Sequence, residues 1–178
     1  MDREEIEHII RACTGITGQE NVVIIGSQAI LASFDESQLP EGVAKSMEAD
    51  VLFLDDPDQK LADLIDGAIG ELSIFHDTFG IYAQGVDRSI AILPTGWESR
   101  LVRVANENTS NSVGLCLDPY DLCAAKLMAF RQKDLDYVRL LLEAGIIGRA
   151  ELVSRLEEIP DHDDKKSRAR GFLLIATP

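Results

Sequence analysis

The chain of 178 residues has no apolar run near the roughly 20 residues that a membrane-spanning helix needs, so no membrane partner is expected. Its opening, Met1-Asp2-Arg3-Glu4-Glu5, has neither the charge nor the apolar stretch of a secretion signal, and a cytoplasmic protein is the expectation. Histidine is scarce: His8, His76 and His162 form no cluster, which removes support for a zinc site or a histidine-driven nucleophile. Cys13, Cys116 and Cys123 are odd in number, lack metal-ligand spacing and sit in or beside apolar stretches, so they read as free buried thiols of a reducing compartment. Positive charge is short as well. Seventeen Lys and Arg face 31 Asp and Glu, a net charge of -14 that opposes generic attraction to nucleic acid. Any basic surface must be local, and the candidates are Lys126, Arg131 and Lys133, then Lys165, Lys166, Arg168 and Arg170. The second group reads as a solvated helix face. Internal repeats, low-complexity tracts and flexible linkers are also lacking.

What is present is enough apolar content, 46%, for one substantial core. Asp2 with Glu5 forms a capping-box pattern, and Ile6, Ile9, Ile10 and Cys13 share a helical face, predicting a helix that ends near Gly15. A strand follows over Val22 to Ile25, then a helix from Ser27 carrying Ala29, Ile30 and Phe34, then a polar loop around Pro40 and Gly42. A second strand covers Val51 to Leu54; Asp55, Asp56 and Asp58 read as a turn and cap for the helix of Leu61, Leu64, Ile65 and Ala68. Residues 80–83 and 89–93 flank a Gly-containing loop and read as a hairpin. Leu101 to Val104 and Val113 to Leu117 offer further strands.

From Asp118, a good N-cap before Pro119, the pattern turns helical. Leu135, Val138, Leu141 and Leu142 mark one stripe ending at Gly145; Leu152, Leu156 and Ile159 mark another limited by Pro160; the apolar tail 172–175 is expected to dock. Strands first and helices later predict an α+β fold, a small mixed sheet with packed helices. Residues 1–117 are expected to form the α/β core and 118–178 a helical region packed on it as one unit.

Two local features carry chemistry. Val22-Val23-Ile24-Ile25 runs into Gly26-Ser27, where Gly26 permits close approach by a ligand and Ser27 can cap a helix whose amides face an anion. Glu48 and Asp50 stand at alternate positions entering a strand, so both carboxylates share one face. Their repulsion calls for a cation, and Mg²⁺ is commonly held by one or two carboxylates plus substrate phosphates. Each feature alone also fits an ordinary helix start or a solvated strand edge. Together they describe a site for a nucleoside triphosphate.

Gly26-Ser27 followed by Lys45-Ser46 and Glu48-Ala49-Asp50 resembles the signature of the nucleotidyltransferase superfamily that includes DNA polymerase beta. A second block, Leu117-Asp118-Pro119-Tyr120-Asp121-Leu122, then Lys126-Leu127-Met128-Ala129 and Arg131-Gln132-Lys133-Asp134-Leu135-Asp136, is similar to the AbiEii-like branch of minimal nucleotidyltransferases. That branch includes toxins of bacterial toxin–antitoxin pairs. The likeness spans residues 20 to 145.

The resemblance implies a nucleotidyltransferase-like fold and transfer of a nucleoside monophosphate from a triphosphate to a hydroxyl. It implies Glu48 and Asp50 as metal ligands for Mg²⁺, with Gly26, Ser27, Lys45, Arg131 and Lys133 binding the nucleotide. Lys126 would neutralise phosphate charge that grows in the transition state, and Asp134 or Asp136 would complete the site or orient Lys126. Taken alone, Lys126 reads as a lysine snorkelling from a packed helix, and Asp134 as a favourable charge in a helix's first turn. An antitoxin, or an RNA or protein acceptor, is the partner class implied. Polymerase-beta-like enzymes place a third acid on a later strand, and Ala91 stands where the run 89–93 would carry it, with Asp87 near but in the turn. That departure motivates the alternative of a catalytically degenerate member that binds nucleotide or a protein.

Overall fold

In a computed structural model of the chain, which describes residues 1–176, the first helix α1 spans Arg3–Thr17. Asp2 and Glu5 form the reciprocal cap: each carboxylate accepts the other's backbone amide at 2.8 Å. Ile6, Ile9, Ile10 and Cys13 are wholly buried, the stripe that packs on the sheet. The helix runs through Gly15, where the expected end falls, and stops at Gly18, whose φ of 68° closes it in the left-handed region.

Five strands form one sheet. They are β1 (Asn21–Ile24), β2 (Glu48–Leu52), β3 (Tyr82–Gly85), β4 (Val102–Val104) and β5 (Val113–Cys116), in the order β3-β2-β1-β5-β4. β1 lies antiparallel to β2 and parallel to β5, β2 is parallel to β3, and β4 is antiparallel to β5. The sheet is therefore mixed, and with helices packed on it the fold is α+β. β2 opens at Glu48, so both acids lie inside the strand.

The expected hairpin across residues 80–93 does not form. β3 instead pairs parallel with β2, and its far side is occupied by α2 (Lys60–Ile69). The Gly85 amide donates to the Asp66 carboxylate at 2.6 Å, and a Cβ on Gly85 would fall 2.2 Å from the Ala62 carbonyl oxygen. A helix this close leaves no room for a returning strand. Residues 88–90 form a 3₁₀ turn capped by Asp87, whose carboxylate accepts the Ser89 amide at 2.7 Å. Ala91 consequently lies outside any strand.

The helix expected from Ser27 is a short 3₁₀ segment, Ser27–Ala32. Gly26 holds its cap position and no side chain caps it, so Ser27 is not the cap and no extended α-helix presents its amides here. Gln59, not one of the three aspartates, holds the cap position of α2, but Asp56 serves that helix start from the turn, its carboxylate accepting the Leu61 and Ala62 amides at 3.0 Å each. A helix with no apolar periodicity to announce it, α3 (Ile74–Phe79), starts at Ser73 and ends at Gly80.

The helical half consists of α4 (Pro119–Ala129), α5 (Gln132–Glu143), α6 (Arg149–Glu157) and α7 (Asp163–Ile175). Asp118 accepts the Tyr120 and Asp121 amides at 3.0 and 3.3 Å, with Pro119 at the first helical position. One contiguous core joins sheet residues such as Val23, Ala49 and Cys116 to Leu127, Leu141 and Leu156 of these helices. Phe172 and Leu173 dock into it, while Leu174 and Ile175 face solvent. Cys13, Cys116 and Cys123 are free and buried, and burial pushes each thiol up to about 12. Among the described residues no helix is long and apolar enough to cross a membrane.

Candidate active site

A cleft of about 760 Å³ opens over the β2 end of the sheet, between Gly26-Ser27 and the helices α4 and α5. Its volume falls in the range of small-molecule sites. Glu48 and Asp50 line it from β2, and Lys126, Arg131 and Lys133 line it from the helical half. An acidic floor faces a basic wall.

Asp50 sits directly against the turn. Its backbone carbonyl accepts the Ile25 amide at 3.0 Å, and a Cβ on residue 26 would fall 1.7 Å from its Oδ2. Gly26 has an extended φ of -82°, open to any residue, so glycine is required here for space rather than conformation. Burial, and then the neighbouring Glu48 carboxylate, push the Asp50 carboxyl up to about 6, against the pull of Lys126 and Lys133. Tyr82, beside Glu48 in register, donates its hydroxyl to Glu48 Oε2 at 3.3 Å. Burial, and then the Glu48 charge, raise the Tyr82 phenol.

Lys126 is a partnered, largely buried amine rather than a snorkelling one. Its Nζ donates to Ser27 Oγ at 2.8 Å and to Asp134 Oδ1 at 3.4 Å, and it lies 4.2 Å from the Tyr137 ring centroid. Burial lowers its pKa, and Asp134 opposes that shift. Asp134 is fully buried and also accepts from Arg131 Nε at 2.6 Å and from its second guanidinium nitrogen at 3.3 Å. The carboxylate thus holds two cations at the wall of the cleft. Arg131 keeps 63% of its side chain exposed, so its remaining donors stay accessible to a ligand.

Other expected residues lie elsewhere. Lys45 is two-thirds exposed, outside the cleft lining, and pairs with Glu41 at 2.8 Å. Asp136 is also outside it, accepting from Gln132 and Arg139 at 2.9 Å each. Lys165, read as part of a solvated face, lines the cleft from the first turn of α7. The sequence reading missed Gln84, Tyr82 and Tyr137. Gln84 is paired with Asp50 across the parallel β2–β3 ladder and lines the cleft, so it, and not Ala91, stands next to the acids on the neighbouring strand. Tyr137 donates its hydroxyl to the Ser27 carbonyl at 2.9 Å. Its position three residues after Asp134 on one helix was the available signal.

Two carboxylates pressed together, one of them with a raised pKa, suit a divalent cation whose other ligands come from phosphates. Among the described residues no group of three or more His, Cys, Asp or Glu could hold a metal, so an all-protein cage is not what this cleft offers. The mixed sheet thus presents paired carboxylates beside a glycine-serine turn, with a lysine and an arginine opposite. The chain belongs to the family described as nucleotidyltransferase of unknown function (DUF6036), whose family model matches residues 4–166. No curated protein matches the chain, and no solved structure matches it.

Proposed function

We propose that the protein is a Mg²⁺-dependent nucleotidyltransferase that moves a nucleoside monophosphate from a nucleoside triphosphate to a hydroxyl. The observation that carries this reading is the facing of Glu48 and Asp50 by Lys126 and Arg131 across one cleft that also contains Gly26 and Ser27. In the reaction the acceptor oxygen bonds the α-phosphorus, the bond to the bridging oxygen breaks, pyrophosphate leaves, and the acceptor proton is released to water.

Glu48 and Asp50 would hold Mg²⁺, which when bound offsets their charge and acts as a Lewis acid on phosphate oxygens. Lys126, fixed by Ser27 and Asp134, counters charge accumulating on the phosphates. Arg131, held by Asp134, presents a planar fork suited to phosphate oxygens. Lys133 and Lys165 add positive charge at the cleft wall. Of these cations Lys126 is the one largely withdrawn from water, which strengthens its interactions relative to those of the exposed Arg131, Lys133 and Lys165.

The resemblance of residues 117–136 to AbiEii-like proteins supports a toxin–antitoxin role, with an antitoxin as partner and an RNA or protein as acceptor. The second reading, a nucleotide-binding or protein-interaction module without turnover, is favoured by the neutral Gln84 beside Asp50. Incubating the protein with α-labelled ATP, GTP, CTP or UTP, Mg²⁺ and cell extract separates the two. Labelled product that disappears in a Glu48→Ala, Asp50→Ala double variant is expected. Labelling unchanged in that variant refutes the assignment of the site, and binding without any labelling favours the module.

A further inference from the structure

We infer that the cleft takes one divalent cation per bound nucleoside triphosphate, and that Gln84 is the residue that keeps the number at one. This rests on the nucleotidyltransferase reading and adds a stoichiometry to it. Paired catalytic metals sit about 3.5–4 Å apart, so their mutual repulsion must be offset by bridging or flanking carboxylates. β2 supplies two, Glu48 and Asp50. On β3 the positions in register with them are Tyr82 and Gln84, an un-ionised phenol and a carboxamide.

Among the described residues that line the cleft, the one carboxylate besides Glu48 and Asp50 is Asp134. Asp87, just beyond β3, caps the Ser89 amide and does not line the cleft. Asp134 is fully buried between Lys126 and Arg131. Ala91 lines the cleft but carries no ligand atom on its side chain. Gln84 is exposed, and among the described residues no group bonds its carboxamide, so it is not held in place for a structural reason.

The chain instead brings fixed cations to where a second metal's charge would be used. Lys126, Arg131 and Lys133 line the wall facing the acids. A second dication would meet both these cations and the first ion with no negative charge added by the protein beyond Glu48 and Asp50, leaving the phosphates to hold it alone. A carboxylate at position 84 would supply it, next to Asp50 on the same face of the sheet.

The test counts bound Mn²⁺ by electron paramagnetic resonance, with protein in excess over a non-hydrolysable analogue of whichever of ATP, GTP, CTP or UTP binds by calorimetry. One Mn²⁺ per bound nucleotide is expected for the natural chain, and two for Gln84→Glu and Gln84→Asp. Two ions in the natural chain overturn the proposal while leaving the nucleotidyltransferase reading intact. One ion in both variants, with melting temperatures near that of the parent, removes the role of Gln84. Binding of no nucleotide, or of nucleotide without any metal, removes the site reading and this stoichiometry together.

Discussion

Tyr137 ties the helical half of the molecule to the turn that begins the cleft: its hydroxyl donates to the Ser27 carbonyl at 2.9 Å, and its ring lies under the Lys126 ammonium. Burial raises its phenol well above the usual range, so the proton needed for this bond stays in place at all working pH. Tyr137→Phe keeps the ring and removes only the bond. A net loss of about 1 kcal/mol is expected, which for a chain of this size is a melting shift of roughly 2–4 °C. Nucleotide affinity should fall several-fold as the turn loosens. Tyr137→Leu, which also removes the ring beneath Lys126, should weaken affinity further. Calorimetric affinities equal to the parent's in both variants would show that the tie does not shape the site.

Gly26→Ala separates space from conformation. The backbone at residue 26 tolerates alanine, but the new methyl would occupy the place of the Asp50 carboxylate, 1.7 Å from Oδ2. Asp50 must therefore swing away. The expected outcome is a folded variant whose melting temperature Mg²⁺ does not raise, against a parent expected to gain stability with metal through ligand linkage. An unchanged Mg²⁺ response would mean that Asp50 is not a ligand or that the turn yields instead.

The carboxyl of Asp50 predicts a pH dependence with a definite sign. Its folded pKa of about 6 lies above the ordinary 3.8, so the folded chain binds this proton more tightly than the unfolded one. The protonated form's contribution to stability is complete below about pH 4 and is lost as pH rises through about 6. Above that, the buried charge costs between about 1 and 3 kcal/mol without metal. Asp50→Asn should therefore stabilise the metal-free protein by that amount at pH 8, with the gain shrinking toward pH 4.5. Urea unfolding in chelator at the two pH values measures it. A gain that is independent of pH would point to packing rather than charge.

How much of this was legible in the sequence depended on distance along the chain. The Asp2–Glu5 cap, the Asp118-Pro119 start and the α1 stripe use neighbours within a few residues, and pattern alone revealed them. Glu48 and Asp50 were legible because strand alternation puts them on one face. The Ser27 hydroxyl was read as a cap because a helix normally follows such a turn, yet it accepts from Lys126, 99 residues away. Nothing local to Ser27 encodes that. Gln84 was hidden for a related reason. Its strand looked like half of a hairpin, and only the packing of α2 on Gly85 dictates parallel pairing with β2. Lys45, which the motif suggested and the polar loop carries outward, shows the reverse error: sequence proximity to Glu48 did not place it in the cleft.

A last prediction concerns what holds α4, the helix of Lys126, in position. Asp121 is fully buried on that helix and accepts from Arg100 Nε and its second nitrogen at 2.9 and 3.0 Å, and from Arg155 at 2.8 Å. One carboxylate thus joins α4 to the 3₁₀ segment Trp97–Arg100 and to α6. Asp121→Asn keeps the shape but removes the charge between two guanidiniums; because Arg155 keeps Asp118 and Glu151 and Arg100 keeps Glu158, the expected cost is about 1–3 kcal/mol. The urea midpoint should fall accordingly. Asp134→Asn differs in degree: Arg131 is mostly exposed and can turn to water, while the largely buried Lys126 loses its counter-charge but keeps Ser27, so a smaller fall in midpoint is expected together with weaker nucleotide binding. If the two variants lost stability equally, Asp134 would be a second structural anchor of the helical half, and its place in the cleft wall would need a different explanation.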